Sequence, residues 1–411
     1  MKHIFIVTSH FPYCGGEQFL ETEIDYYCRY HNVKVTLLPL HTNKEMREVP
    51  SCVRVSDFFN NQKWEEQKMF YTAKAFSLQY IYRELFSRFP IQPKKFKIFL
   101  ASASLLAFYR SAFEQFIQQI DQTDDIVFYT YWHNEATYAL QSLKGKYGFG
   151  LVSRIHRYDL YEEVRPYGYM PMKRQFTQQM DALYTITESA NDYLKRTYGF
   201  NQDISVLSRL GVADHTICTM PTDKNVLHLV SCSFLTEVKQ VDKIIKSLKI
   251  IASRMKGVTF SWTHIGDGIL YDDLLLLAEN ELSNLENVKY DFVGNYANDE
   301  VYEFYAKNKV DVFLNVSLSE GVPVSIMEAM SCHIPIVAPN VGGIKDMVLN
   351  GYNGFLLSNE CSVNEIAASL KNMDFFKNKE IRENAYKVFL EKYDAKRNYT
   401  EFIENIMSMA K

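Results

Sequence analysis

The chain has 411 residues, 47% of them apolar and 23% charged. At roughly 150 residues per domain that is two or three domains of foldable sequence, not a disordered or collagen-like polymer. The 45 basic and 49 acidic residues give a net charge of -4, which argues against a dedicated nucleic-acid binder with its basic surplus. The split is uneven: residues 1–207 carry 24 Lys/Arg and 22 Asp/Glu, residues 208–411 carry 21 and 27. An anionic acceptor or an acidic membrane surface would favour the first half.

The N-terminus, Met1-Lys2-His3-Ile4-Phe5, enters an apolar strand-like run with neither an h-region nor a cleavage site. From there short β-branched runs alternate with helix-length periodic segments, the signature of βα units around a parallel sheet. A first series of strands is predicted at 3–9, 33–38, 126–131, 151–155, 183–187 and 204–207. A second is predicted at 226–233, 258–265, 288–293, 312–316, 334–338 and 354–357. Residues 211–224 hold Gly211, Pro221 and little apolar periodicity, so the boundary falls there. The expected domains are 1–207, 208–395 and a terminal helix, 396–411, crossing back to the first. Ligands of open parallel sheets sit beyond the carboxyl ends of the strands, so function is expected in the loops after strands, with two sheets facing a central cleft.

One segment near 71–116 breaks the alternation. It is helical in pattern, rich in Phe, Leu and Tyr, and carries Lys74, Arg83, Arg88, Lys94, Lys95, Lys97 and Arg110 against Glu84 and Glu114. Two readings stay open: a basic amphipathic surface for anionic lipid, or helices packed on the first domain with a solvated charged face. The uncharged run 98–109 is far short of the ~20 residues of a spanning helix. Seven cysteines at 14, 28, 52, 218, 232, 332 and 361 lack Cys-x-x-Cys spacing, the pattern of a reducing compartment without a zinc site. A cytoplasmic protein, with peripheral contact at the inner face of the plasma membrane as an extension, is expected. Most of the 28 Tyr and 28 Phe must be core.

The most informative stretch follows the strand at 312–316. Ser317-Leu318-Ser319-Glu320-Gly321-Val322-Pro323-Val324 turns into a helix that carries Glu328. Strand, small-residue loop and helix point backbone N–H groups and a positive helix end at the ligand, which suits phosphate or sugar hydroxyls. Eight helical residues would separate Glu320 and Glu328 by ~12 Å, so they are better read as acceptors for two diols than as a glycosidase pair. Pro335-Ile336-Val337-Ala338-Pro339-Asn340-Val341-Gly342-Gly343 and Asn350-Gly351-Tyr352-Asn353-Gly354 follow.

In this context Glu-x7-Glu resembles the retaining nucleotide-sugar glycosyltransferases of glycosyltransferase family 4, among them bacterial surface-polysaccharide enzymes. The resemblance implies the α/β GT-B fold, two Rossmann-like parallel-sheet domains. It implies that Glu320 meets the donor sugar's hydroxyls and Glu328 the nucleotide ribose, with Gly321, Val322, Pro323 and Val324 around the sugar and diphosphate. Lys239, in Thr236-Glu237-Val238-Lys239, falls where the family places a lysine on the diphosphate. Where the family commonly has an arginine five residues earlier this chain has Phe234; Arg209, at the domain junction, is the candidate replacement or a plain surface residue. Gly266-Asp267-Gly268 and Val293 would border the nucleotide. In the first domain, Gly15-Gly16-Glu17 matches the family's Gly-Gly-Glu near the donor phosphate, and His156, after the strand at 151–155, its active-site histidine. Asp159 would orient that imidazole or meet the acceptor; Tyr131 and Trp132 would wall the acceptor site or pack in the core.

No Asp-x-Asp, Gly-x-Gly-x-x-Gly or Gly-x4-Gly-Lys-Ser/Thr occurs, which argues against a metal-dependent transferase, a dehydrogenase and a P-loop enzyme. The expectation is a metal-independent, cofactor-free retaining hexosyltransferase. It would use a UDP- or GDP-linked donor and a saccharide or polyprenyl-diphosphate-linked saccharide acceptor. A GT-B nucleotide-sugar epimerase and a non-catalytic nucleotide-sugar binder are the alternatives.

Overall fold

Strands and helices alternate through two separate all-parallel sheets. The structure, a computed structural model, describes residues 1–13, 16–17, 19–42, 45–88, 92–121, 123–177, 180–200 and 202–411, the side chains of 88 and 202 apart. Unit 1 comprises Met1–Leu210 with Lys396–Lys411, and unit 2 comprises Gly211–Ala395.

Unit 1 contains β1 (Lys2–Thr8), β2 (Val33–Pro39), β3 (Val53–Val55), β4 (Asp125–Thr130), β5 (Gly150–Ile155), β6 (Ala182–Thr185) and β7 (Ser205–Leu207), in the order β3-β2-β1-β4-β5-β6-β7. Unit 2 contains β8 (Val226–Cys232), β9 (Thr259–Ile265), β10 (Val288–Phe292), β11 (Val312–Leu314), β12 (Ile336–Pro339) and β13 (Gly354–Leu357), in the order β10-β9-β8-β11-β12-β13. These are the doubly wound sheets that the alternation predicts. Strand β3 escaped prediction because only two apolar residues, split by Arg54, mark it. In unit 1 Ile4 sits in register with Val35 on one side and Val127 on the other. The chain therefore winds outward from β1, then returns to add β4 on the opposite edge. Unit 2 does the same about β8 and β11. Each sheet has a switch point, and loops on its two sides diverge to leave a crevice.

The aromatic segment is three helices, Trp64–Ala75, Gln79–Arg88 and Pro93–Gln119. The last is long and apolar enough to cross a membrane by length and composition, yet more than half of that stretch is buried. Phe113 and Phe116 meet Phe128 of β4 at 6.4 and 6.5 Å, and Phe128 stacks on Phe5 of β1 at 5.1 Å. Each such side chain contributes roughly 1.5–3 kcal/mol on burial, so the run is accounted for as core. Outside it, Met69, Phe70 and Phe86 remain exposed.

The C-terminal helix Ala395–Ser408 packs on unit 1 around a buried ion pair. Arg154 of β5 and Glu23 of the helix Phe19–Tyr27 are both fully buried and paired. Phe402 lies 4.0 Å from the Arg154 guanidinium and 5.1 Å from Tyr129. Backbone bonds between Ile126 and Lys411 close the same edge. One expectation fails: Cys28 and Cys52 form a disulfide, with Cα atoms 5.6 Å apart, so cysteine spacing no longer argues for a reducing compartment. The pairing arises from tertiary contact across 24 residues, which local spacing does not reveal. Cys218, Cys232, Cys332 and Cys361 are free.

Arg154→Ala leaves Glu23 charged without its partner in the core and is expected to cost ~3–5 kcal/mol of stability. Arg154→Met with Glu23→Leu recovers most of that loss. Urea unfolding measures both, and a single variant as stable as the parent contradicts the role given to the pair.

Candidate active site

In unit 2 the loops after β8 and β11 flank the switch point. The first passes through Ser233–Thr236 into a short turn, Glu237–Lys239, before the helix Asp242–Arg254. The second leads to the helix Val324–Ser331, capped by Pro323. Leu318 N–H donates to the Val238 carbonyl at 2.8 Å, tying the two loops. Across that tie Lys239 Nζ reaches Glu320 Oε1 at 2.6 Å, and Asn315 Nδ2 donates to the same oxygen at 3.2 Å. The structure thus brings together Lys239 and Glu320, 81 residues apart. Gly321, half-buried, and Val322, buried, continue the loop. Pro323 has no N–H to offer, so the donors are those of Val324 and its successors, which lack intrahelical acceptors.

Glu328 is the fifth residue of this helix, just over one turn in. Glu320 precedes the helix, so the helical separation expected for the pair does not apply. Glu328 accepts from Asn298 Nδ2. Burial pushes its carboxyl up to about 7, with Asn298 pulling the other way. Burial and then Glu328 push the neighbouring Cys232 thiol up to about 12.

Two glycine loops hold this arrangement. Gly342, at φ 54°, lies where a Cβ would fall on the Glu320 carbonyl oxygen, and Gly343 N–H donates to the Gly321 carbonyl at 2.8 Å. Gly266, at φ 138°, packs on the Ser233 carbonyl, and Gly268 on Leu235. Val293 is half-buried and donates to the His264 carbonyl at 3.0 Å. His264 is a residue that sequence reading missed. Its ring is within hydrogen-bond distance of Ser231 Oγ and the Ser233 carbonyl at 2.9 and 3.2 Å, and burial lowers it to about 4, which keeps it neutral. Its signal was a histidine at the carboxyl end of the strand run at 258–265, just before Gly266. Phe234 is 60% exposed on the same loop. Arg209 is in unit 1, paired with Glu188.

In unit 1 the loops after β1 and β4 are joined by Glu17. Its carboxylate accepts from the N–H groups of Ser9, His10 and Phe11 at 2.7, 2.8 and 2.7 Å, and from Trp132 Nε1 at 2.7 Å. Glu17 was quoted only as part of a motif; its position in the left-handed region, φ 57°, has no local sequence signal. Gly16 lines the adjoining cavity, and Gly15 lies outside the described residues.

His156 caps the helix Arg157–Leu160. Its ring sits 4.5 Å from Tyr131 and 4.7 Å from Trp132, with neither nitrogen bonded among the described residues. Burial, then the Arg154 charge, lowers it to about 3. It is a neutral imidazole that can offer one donor and one acceptor to a ligand. Tyr131 is fully buried beneath it and does not line the cavity, so its place on an acceptor wall is corrected to core. Asp159 does not orient the His156 imidazole, one of the two roles expected of it. Its oxygens accept from the His133 and His156 N–H groups, each at 2.6 Å, so it holds two loop backbones and not the His156 imidazole. Buried Lys173 donates to the His133 carbonyl at 2.8 Å; burial lowers it to about 8 while Asp159 opposes that. Trp132, His133 and Asp159 border a cavity of about 680 Å³ within unit 1. Among the described residues no His, Cys, Asp and Glu group is arranged to hold a metal.

Residues 220–388 match the family described as glycosyl transferases group 1. An uncharacterised glycosyltransferase of Methanocaldococcus jannaschii is 33% identical over 140 residues, 34% of this chain and 37% of that one. The amylovoran biosynthesis glycosyltransferase AmsK of Erwinia amylovora is 29% identical over 137 residues, 32% of each chain. The chain thus aligns with about a third of the length of these curated relatives. The fold likeness is longer. The lipopolysaccharide outer core galactosyltransferase WaaB superposes with a TM-score of 0.68 at 16% identity, covering 99% of both chains. Anabaena HepE, solved with UDP and glucose, gives 0.61 at 18% identity, covering 98% of this chain and 99% of that one. The resemblance to GT-B glycosyltransferases read from the sequence holds.

Two substitutions test the site's construction. Asp159→Asn puts an amide N–H against a backbone N–H and removes the negative charge that favours ionised Lys173, so it is expected to cost ~1–3 kcal/mol and lower the melting temperature. A plain acceptor contact would leave melting unchanged. Glu328 keeps in the folded state a proton that the unfolded chain releases near the group's ordinary value of 4.5. Stability therefore falls as pH rises from about 4.5 to about 7. In Glu328→Gln that part of the fall disappears from urea titrations across the same range; an unchanged profile contradicts the assignment.

Proposed function

We propose that this chain, whose second unit matches the group 1 glycosyl transferases and whose sheets have the GT-B fold, is a retaining hexosyltransferase of bacterial cell-surface polysaccharide synthesis. It moves a hexose-type sugar from a UDP- or GDP-linked donor to a hydroxyl of a lipid-linked saccharide. It does so without a metal, in the cytoplasm at the inner face of the plasma membrane. The observation that carries this is the Lys239–Glu320 pair across the β8/β11 crevice, with Glu328 on the helix behind it.

In this reading the donor diphosphate takes the Lys239 ammonium, a compact charge suited to phosphate, and the N–H groups at the start of Val324–Ser331 share the load. Glu320 then turns to the sugar hydroxyls, and ionised Glu328 accepts from the ribose diol. With Phe234 at the family's arginine position, Lys239 bears more of the leaving charge. Glu320, the carboxylate placed at the sugar, is held by Lys239 and Asn315 and serves hydroxyls, not the anomeric carbon. The acceptor hydroxyl therefore attacks on the side of the leaving diphosphate and gives its proton to a phosphate oxygen, helped by positioning and electrostatic stabilisation. The cavity in unit 1 supports an enzyme with a second substrate over an epimerase, which needs none. The name of the Erwinia relative supports a polysaccharide product.

Glu320→Ala is expected to lower kcat by at least a hundredfold, whereas Glu328→Ala mainly raises the donor KM. The assay supplies UDP- and GDP-hexoses with and without a polyprenyl-diphosphate saccharide and reads the product's anomeric configuration by NMR. An inverted linkage, isomerised free donor or full activity in Glu320→Ala contradicts the proposal.

A further inference from the structure

The cavity in unit 1 joins an apolar strip to a cluster of cations. Ile98, Ala101 and Leu105 line it from the helix Pro93–Gln119, and their three- and four-residue spacing puts them on one face. Tyr158, Arg165, Tyr167 and Tyr169 also line it, and Lys94 and Lys95 stand about one turn before Ile98 on the same helix. Each of these rings carries a cation: the Arg165 guanidinium lies 3.8 Å over Tyr158, Lys94 Nζ 5.3 Å over Tyr167 and Lys95 Nζ 5.9 Å over Tyr169. Among the described residues none of these three cations is within ion-pair distance of a carboxylate.

The cavity's own acids are occupied. Glu17 and Asp159 accept backbone N–H groups, and Glu135 accepts the Ser102 hydroxyl at 2.6 Å. By contrast the His133 ring, buried at the cavity, has no partner on either nitrogen among the described residues. Tyr167 is held at φ 60° and Met172, just beyond the lining, at φ 60°. Non-glycine residues in that region cost of order 1–3 kcal/mol each and cluster where a loop is shaped for a ligand.

We propose that this cavity binds an amphiphile bearing an anionic group, with its apolar chain along Ile98, Ala101 and Leu105 and its negative oxygens at Arg165, Lys94 and Lys95. The inference rests on the transferase reading, because it makes this cavity the acceptor's seat and negative charge a condition of recognition. A cation over a ring face gains no more than it does from a hydrogen bond to a charged group. The rings therefore hold the three cations in place without consuming their capacity to bind an anion. Stacking also fixes the guanidinium plane in advance, which lowers the entropy lost on binding. The negative oxygens can belong to a diphosphate linker or to an acidic sugar.

Calorimetry with the full-length protein separates these sources through two matched pairs: farnesyl diphosphate against farnesol, and octyl glucuronide against octyl glucoside. The charged member of at least one pair is expected to bind at least tenfold tighter, and the pair that shows it identifies the source. Arg165→Gln with Lys94→Gln and Lys95→Gln removes the preference, and Leu105→Gln weakens both members of a pair alike. Equal affinities within both pairs, or a preference that survives the triple variant, overturn the inference. Donor hydrolysis in the same preparations keeps the two claims apart. Hydrolysis without a charge preference overturns this inference alone, and a preference without hydrolysis overturns the transferase reading alone.

Discussion

Two loops that diverge from a sheet's switch point have nothing in the sheet to hold them together, and in each unit one carboxylate does so. In unit 2 Glu320 meets Lys239 across the β8/β11 crevice, and in unit 1 Glu17 gathers three backbone N–H groups and Trp132 across the β1/β4 crevice. The two solutions differ in what they leave for a ligand. Glu17 is saturated with fixed donors, which makes it a frame. The Lys239–Glu320 pair is an exchangeable contact, in which each partner can be taken over by a ligand group of the right sign. A diphosphate suits the ammonium and a hydroxyl suits the carboxylate, so under the proposed function one pair both ties the loops and supplies two contacts to the donor.

Around both crevices burial sets the protonation states. His156, His133 and His264 are kept neutral, and Glu328 is raised toward neutrality. Neutral imidazoles are hydrogen-bonding groups without the charge that would compete with Lys239 for a diphosphate. Since residues 208–411 carry 21 basic and 27 acidic residues, a diphosphate in the proposed site would be held against a net negative background. The site depends on a single local cation and helix amides more than on the field of the whole unit.

Much of this was legible before any coordinates. The alternation of β-branched runs and helices is a consequence of burying both faces of a parallel sheet, so twelve of the strand positions could be read; β3 could not. Glu320, Glu328 and Lys239 could be read because the loop chemistry is local to a strand and a helix start. What escaped depends on contacts distant in sequence: the Cys28–Cys52 bond, the Glu23–Arg154 pair, and Asp159 turned to backbone N–H groups. In the sequence Tyr131 stays open between acceptor wall and core for a related reason. At the end of a strand a ring can point to the crevice or the core, and only the packing of His156 and Trp132 decides which.

The central claim is that Lys239 holds the diphosphate of a nucleotide sugar in unit 2. Thermal unfolding of the parent and of Lys239→Met, each with a series of UDP- and GDP-hexoses, tests it most directly, since a ligand that binds only the folded state raises the melting temperature. The account predicts that at least one nucleotide sugar stabilises the parent and that Lys239→Met loses the shift. No stabilisation by any donor, or an equal shift in Lys239→Met, would contradict it.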